Sequence, residues 1–164
     1  MYYVEPLNSN PATNIGAEVS FTQYWGRFGV NGNYTYTHSS ISSAQLTPQG
    51  KTVTPTRAMQ GQTDNIANLS LLYKDTKHGT FVQASYQYQG NTLASTGIYA
   101  GADFIQHPMN TLAVSGEKDI HKHFTVFAKL NNLLNTPVQQ YVQGILVLKN
   151  TYWATYQVGV RYAY

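Results

Sequence analysis

Apolar and polar residues alternate at every second position over several stretches of the chain. The clearest stretch is residues 151–164, where the even-numbered positions are all apolar or aromatic and the odd-numbered positions are mostly polar or small. A period of two predicts a β-strand with two different faces, because successive side chains of a strand point to opposite sides. Tyrosines lie at both ends of the apolar face with aliphatic residues between them, as in strands that cross an outer membrane.

The same alternation recurs six more times along the chain. In these segments the polar positions are mostly Asn, Thr, Ser and Gln, which are uncharged. Short runs that contain Gly, Asp or Lys end each segment and predict turns. The pattern predicts full strands at residues 14–24, 28–38, 65–74, 80–89, 110–118, 124–132 and 151–164, after a strand stub at residues 1–5.

The connections between these strands alternate between short and long. Residues 25–27, 75–79 and 119–123 are predicted as short turns, whereas 39–64, 90–109 and 133–150 lack periodicity and are predicted as long loops. Within the third loop, residues 145–148 are apolar enough to continue a strand above the membrane. Outer-membrane barrels have short periplasmic turns and long outer loops. We therefore predict an all-β fold, an antiparallel transmembrane β-barrel segment of about 7–8 up-and-down strands with a periplasmic C-terminus.

The composition agrees with a surface that does not face water. Only 10% of the 164 residues are charged, against about 25% in soluble domains. The mean hydropathy is nevertheless −0.33, which fits strands that are apolar on one side only. The chain has no cysteine, so it is not a disulfide scaffold. The net charge of +3 is spread singly, without a basic run, so no nucleic-acid partner is expected.

The number of strands indicates a part of a larger barrel. An open sheet in lipid leaves backbone groups unpaired at its edges, so it must close. Seven strands and a stub of five residues do not close well, because a crossing strand needs about 9–11 residues. The Asn, Thr, Ser and Gln side chains of the polar face suit a wide lumen. Residues 1–164 are therefore predicted to be a C-terminal barrel portion, and the missing signal peptide predicts a processed or longer chain.

Several motifs, in their order along the chain, resemble the last strands of TonB-dependent outer-membrane receptors. The segment 131–137 (Asn-Asn-Leu-Leu-Asn-Thr-Pro) is similar to the Asn-Leu-Phe turn before the final strand of those receptors, with Leu134 in place of the Phe and no Tyr directly after Pro137. The resemblance covers nearly the whole chain. The other matching segments are 14–19 (NIGAEV), 32–37 (GNYTYT), 65–73 (NIANLSLLY) and 159–164 (GVRYAY).

The resemblance implies a 22-stranded barrel around an N-terminal plug. Such receptors import siderophores, haem, cobalamin or oligosaccharides across the outer membrane of Gram-negative bacteria, with energy delivered through TonB. The expected partners are outer-membrane lipid, the rest of the barrel and its plug, TonB through the plug, and a small solute. We expect this segment not to transport alone. The C-terminal alternation of Val160, Tyr162 and Tyr164 resembles the signal that the barrel-assembly machinery recognises.

Few residues stand out as candidates for direct chemistry. His121 and His123 have metal-like spacing, but they fall in a predicted turn, and we expect no metal and no cofactor. We predict that Glu18, Glu117, Lys129 and Arg161 face the lumen. The extracellular residues that are expected to contact a solute are Arg57, Tyr99, Asp103, Gln106 and His107.

Two other classes of protein remain open. An enzyme is not expected, because no Gly-x-Ser-x-Gly elbow and no spaced nucleophile and base occur. The length is adequate for a small autonomous eight-stranded outer-membrane barrel with an adhesion or structural role. A soluble β-sandwich that acts as a binding module is the third possibility, although a long apolar edge strand would invite its aggregation.

Overall fold

The computed structural model describes residues 11–164, so the predicted strand stub at residues 1–5 lies outside the described part. Within this range the chain forms fourteen strands, and it has no helix long and apolar enough to cross a membrane. The strands are β1 (Ala12–Trp25), β2 (Phe28–Ser42), β3 (Gln45–Leu46), β4 (Thr52–Val53), β5 (Thr56–Arg57), β6 (Asn65–Asp75), β7 (Thr80–Gln89), β8 (Thr92–Ser95), β9 (Phe104–Gln106), β10 (Met109–His121), β11 (Phe124–Asn131), β12 (Val138–Val142), β13 (Ile145–Asn150) and β14 (Thr155–Tyr162).

Eight of these strands form one sheet, in which the short β5 pairs with the end of β2, and we call the other seven strands the wall. Its order is β1-β2-β6-β7-β10-β11-β14, and every neighbouring pair is antiparallel. Each wall strand therefore lies beside the wall strand that precedes it in the chain, as in an up-and-down meander. The predicted all-β, antiparallel fold class is confirmed. β1 and β14 form the two edges of the wall in the described structure.

The pairing register gathers the apolar positions of all seven strands onto one face. Directly paired residues of antiparallel strands point to the same side of a sheet. One such row crosses six strands and is apolar throughout, whereas the row of Asn31, Ser70 and Ser85 on the opposite face is polar. The apolar row consists of Val30, Leu71, Ala84, Val114, Leu130 and Tyr156. The two faces that alternation predicted are thus confirmed.

The apolar face of the wall is not covered by any other described part of the chain. The side chains of Tyr156, Val158 and Val160 are 70%, 77% and 65% exposed. Among residues 11–164, Leu93 is the one hydrophobic residue that is buried. A soluble protein rarely leaves so large an apolar surface in water. The apolar face of the wall is therefore suited to an apolar environment.

Aromatic residues border the apolar face at both ends. Near the short turns, Phe28 packs against Tyr73 and Phe124 against Tyr162, with ring centroids 5.2 and 5.1 Å apart. Phe28 and Tyr36 mark the two ends of the apolar face of β2, about 27 Å apart at ~3.4 Å per residue. A strand tilt of about 40° reduces this to roughly 21 Å, close to the apolar band of an outer-membrane barrel. The lower girdle comprises Trp25, Phe28, Tyr73, Phe124 and Tyr162, and the upper girdle Tyr34, Tyr36, Tyr86, Tyr88 and Tyr156.

Aromatic rings cover glycines of the neighbouring strand at three places; at one of them, a Cβ atom added at Gly29 would lie 2.6 Å from the ring of its paired residue Tyr24. Phe21 pairs directly with Gly32 in β2, and Phe127 pairs directly with Gly159 in β14. A Cβ atom added at Gly159 would lie 2.5 Å from the Phe127 ring, and one at Gly32 would lie 2.7 Å from Phe21. Glycine at each of these positions lets the ring lie flat across the partner strand.

The long loops and several boundaries differ from the sequence prediction. Residues 39–64 contain the end of β2 and the short strands β3 to β5, and the other two predicted loops contain β8, β9, β12 and β13. β10 continues to His121, so the turn there is shorter than predicted, and the last strand begins at Thr155 rather than at residue 151. These strands are short and are specified by backbone pairing between loops, which leaves no alternation in the sequence.

Candidate functional site

The polar face of the wall carries a network of uncharged side chains. Asn68 donates to Asn33 over 2.8 Å, the hydroxyls of Ser70 and Ser85 lie 2.9 Å apart, and Gln83 donates to Ser85 over 2.8 Å. All three contacts join side chains on the same face, and the first two link neighbouring strands. The network can be hydrated along its length and holds no charge in its centre.

The four charged residues predicted to face the lumen all lie in the polar register. Glu18 is paired with Thr35 near the β1 edge, and Lys129 lies between Ser115 and Gln157. Arg161 and Glu117 form an ion pair of 3.6 Å that reaches across β11, and both side chains are well exposed. A pair this exposed contributes about 0–1 kcal/mol.

Phe127 lies beside three of these charged residues, namely Glu117, Lys129 and Arg161. The Nζ atom of Lys129 and the Cζ atom of Arg161 are each 5.9 Å from the centroid of its ring. Both distances are within the range of a cation–π contact. Sequence reasoning missed Phe127, because an aromatic residue in an otherwise polar register has no special spacing.

Arg57 and Asp103 join two long loops. Their side chains form an ion pair of 3.2 Å and are each 18% exposed. The same Asp103 oxygen accepts the backbone N–H of Gly97 over 2.9 Å, while Arg57 also donates to Ser43 over 2.9 Å. The Nε atom of Arg57 is buried without a hydrogen-bond partner among the described residues. The two charges predicted to contact a solute are thus engaged with each other.

The other three residues that are predicted to contact a solute each make their own contacts, separate from that ion pair. Tyr99 is 45% exposed, and its backbone bridges to Leu46. Gln106 pairs with Gln140 and Thr92 within the loop strands. The ring of His107 stacks on Tyr141 with centroids 3.8 Å apart and planes at 19°. Tyr141 could not be identified from its sequence position, because the stacking depends on how β9 and β12 pair.

The turn between β6 and β7 is organised around Asp75. Its carboxylate contacts Arg27 at 2.9 Å and the His78 imidazole at 2.7 Å, and it accepts the backbone N–H groups of Lys77 and His78. This turn lies beyond the lower girdle. The hydrogen bond with the His78 side chain, assisted by its backbone N–H and by Arg27, lowers the pKa of Asp75.

The histidines of the last short turn make separate contacts. The rings of His121 and His123 are 6.2 Å apart, and the Nδ1 atom of His123 lies 2.8 Å from the carbonyl oxygen of Ala163. Residues 11–164 contain no group of three or more His, Cys, Asp or Glu side chains arranged to hold a metal. Of the predicted assembly signal, Val160 pairs with Val126, Tyr162 packs in the lower girdle, and Tyr164 is fully exposed.

Comparison with known proteins gives a structural likeness without a sequence match. No protein-family model and no curated protein matches the chain. Among solved structures, the siderophore receptor PiuA from Acinetobacter baumannii superposes with a TM-score of 0.67 at 14% identity. The match covers 92% of this chain and 22% of the receptor, so the chain spans about a fifth of that protein's length. The likeness therefore establishes the fold: an antiparallel β wall similar to part of that receptor.

Proposed function

We propose that residues 1–164 form the C-terminal part of the wall of a TonB-dependent receptor in the bacterial outer membrane. The receptor takes up a scarce solute, such as a siderophore, haem, cobalamin or an oligosaccharide, with energy delivered through TonB. The observation that carries the proposal is the exposed apolar face that runs across all seven wall strands between two aromatic girdles. Hydrocarbon is the solvent that such a face fits, and the likeness to a siderophore receptor supports this class of transporter.

The direction of the wall strands supports a larger barrel. In a meander of seven antiparallel strands, β1 and β14 run in the same direction. Direct closure would therefore pair them in parallel, whereas bacterial outer-membrane barrels are antiparallel with an even number of strands. An odd number of further strands between β14 and β1 satisfies this rule. The 22-stranded barrel expected from the resemblance would supply fifteen.

The two ends of the wall take different roles in this proposal. The three long loops face outwards and receive the solute, with Tyr99 and His107 the exposed residues among the predicted contacts and the Arg57–Asp103 pair holding two loops together. The polar face lines the lumen and meets the plug. The C-terminal strand, with Val160, Tyr162 and Tyr164, engages the barrel-assembly machinery from the periplasm.

Membrane fractionation and uptake measurements test the proposal. The protein is expected in the outer-membrane fraction, and deletion of its gene is expected to abolish uptake of one labelled solute from a panel of iron-siderophores, haem, cobalamin and oligosaccharides. Loss of TonB should have the same effect on that solute. Recovery of the protein in the soluble fraction would contradict the proposal and favour the β-sandwich.

A refolding experiment separates the proposal from the autonomous barrel. Residues 1–164 are folded alone in detergent and are compared before and after heating by gel electrophoresis. We expect no monodisperse, heat-modifiable monomer, because the two edges of the wall cannot pair directly in antiparallel fashion and the stub predicted at residues 1–5 is shorter than the ~9–11 residues of a crossing strand. A closed monomer would establish the eight-stranded alternative.

A further inference from the structure

The loop strands continue the wall above the upper girdle. β8, β9, β12 and β13 form a second sheet in the order β13-β12-β9-β8. Each of them is joined along the chain to one wall strand, namely β7, β10, β11 and β14, and the two sheets keep the same lateral order. The second sheet, which we call the upper wall, is therefore an extension of four wall strands.

Backbone hydrogen bonds connect the wall to the upper wall. Between β10 and β11, the N–H of Leu133 donates to Leu112 over 2.9 Å, and further up the N–H of His107 donates to Gln139 over 3.0 Å. Beside β7, Thr63 forms an isolated bridge with Thr92. Backbone pairing between neighbouring strands thus resumes where each wall strand passes into its upper-wall strand.

Two asparagines hold the last junction, which lies between β13 and β14. The side chain of Asn132 donates to the carbonyl oxygen of Tyr152 over 2.6 Å, and the N–H of Ala154 donates to the Asn135 side chain over 2.7 Å. Both asparagines have positive φ angles, 52° and 51°, which Asn tolerates better than most residues. The segment that enters β14 is thereby kept beside the end of β11. The outer edge of β13 then follows the outer edge of β14.

β13 has the composition of a covered strand but lies at an edge. Ile145, Leu146, Val147 and Leu148 are 68%, 45%, 49% and 38% exposed. Successive residues of a strand point to opposite faces, so both faces of β13 are apolar. β12 is its one partner among the described residues. An exposed apolar edge of this kind is a site for pairing with another strand.

We infer that β13 and β14 form one continuous edge, and that a single strand from the rest of the barrel pairs with both of them. This inference rests on the proposed function, which already requires a partner for β14. It adds that the partner strand runs past the membrane and covers the apolar edge of β13. The edge extends from Ile145 to Tyr162, which is nearly twice the ~9–11 residues of a membrane crossing.

Hydrogen–deuterium exchange of the native protein, extracted from its own outer membrane, tests this inference. Backbone amides of an edge strand point alternately to its partner and to solvent, so roughly half of them exchange fast. We expect nearly all amides of β13 and β14 to be protected as strongly as those of β12, which has neighbours on both sides. If β14 is protected while half of the β13 amides exchange fast, the inference is wrong and the proposed function stands. If half of the β14 amides also exchange fast, both are wrong.

A matched pair of proline variants gives a second reading of the same edge. Leu148→Pro and Lys149→Pro each remove one N–H at positions that pair in regular register with Gln140 and Gln139 of β12, where neighbouring N–H groups point to opposite edges of the strand. If β13 is paired on both sides, both variants lose protection throughout β13, while protection of β2 is unchanged. If the outer edge is free, one of the two variants is tolerated, and the inference is wrong.

A cysteine variant excludes a second copy of this chain as the partner. The chain has no native cysteine, so Val147→Cys places one thiol in the described edge strand. We expect no disulfide-linked dimer on mild oxidation of the native protein in its membrane. A dimer formed in high yield would identify a second copy at β13 and overturn the inference.

Discussion

Replacement of Val158 by arginine tests the lipid-facing assignment most directly. Val158 is 77% exposed and lies on β14 between the girdle residues Tyr156 and Tyr162. An arginine on the lipid face near the midplane costs about 2–4 kcal/mol. This corresponds to a roughly 30- to 900-fold decrease in the ratio of folded to unfolded protein. We expect a matching loss of assembled protein from the outer-membrane fraction and a lower midpoint of guanidinium unfolding in phospholipid vesicles.

The neighbouring residue supplies the control at almost the same depth. Gln157 points to the polar face and lies directly opposite Lys129. Because arginine there would face a like charge, the matched pair is Gln157→Glu and Val158→Glu. The first places a carboxylate opposite a cation, which stabilises by about 0.2–1 kcal/mol, whereas the second places it in hydrocarbon. Equal losses of assembly for both glutamate variants, or no loss for Val158→Arg, would refute the assignment of the two faces.

Three further predictions concern packing and the loops. Gly159→Ala should destabilise the native protein by about 1–3 kcal/mol, because its Cβ would overlap the Phe127 ring; Gly116→Ala, whose Cβ would have nearest contacts of 3.7 and 3.8 Å, is the control in the same unfolding assay. Asp103→Asn should weaken the contact with Arg57 and make the loop at residues 96–103 susceptible to subtilisin, a protease of broad specificity, while the wall stays resistant. Asn135→Ala should increase exchange of the amide of Ala154 in native protein, since that N–H loses its acceptor; an unchanged exchange rate would contradict this role.

The wall could be predicted from the sequence because the environment on its two sides differs so strongly. Every wall strand must place apolar residues on one side, and this leaves a period of two, as in β7 and β14. The upper wall shows no such period, and of its strands only β13 was indicated, by the apolar run at residues 145–148. β13, for example, is apolar on both faces, so its sequence reads as a hydrophobic run without alternation.

The charged contacts could not be predicted, because they depend on distance in space. Arg57 and Asp103 are 46 residues apart in the chain, and their contact follows from how the loops meet above the wall. The ion pair between Glu117 and Arg161 crosses an intervening strand, so even the correct order of strands does not reveal it. Sequence alternation puts both residues in the polar register of their strands, but it does not indicate that they contact each other.

The distribution of buried residues explains why the loops are ordered although the wall has no core. Among residues 11–164, the side chains that are buried near the long loops are mostly polar. They are Ser39, Gln45, Thr63 and Thr92, together with the hydrophobic Leu93. They belong to the segments where the long loops meet, and hydrogen bonds such as that from Met59 N–H to Ser39 join them. In the proposed membrane placement, this end of the wall lies in water beyond the upper girdle, where hydrogen bonds rather than apolar packing hold the loops together.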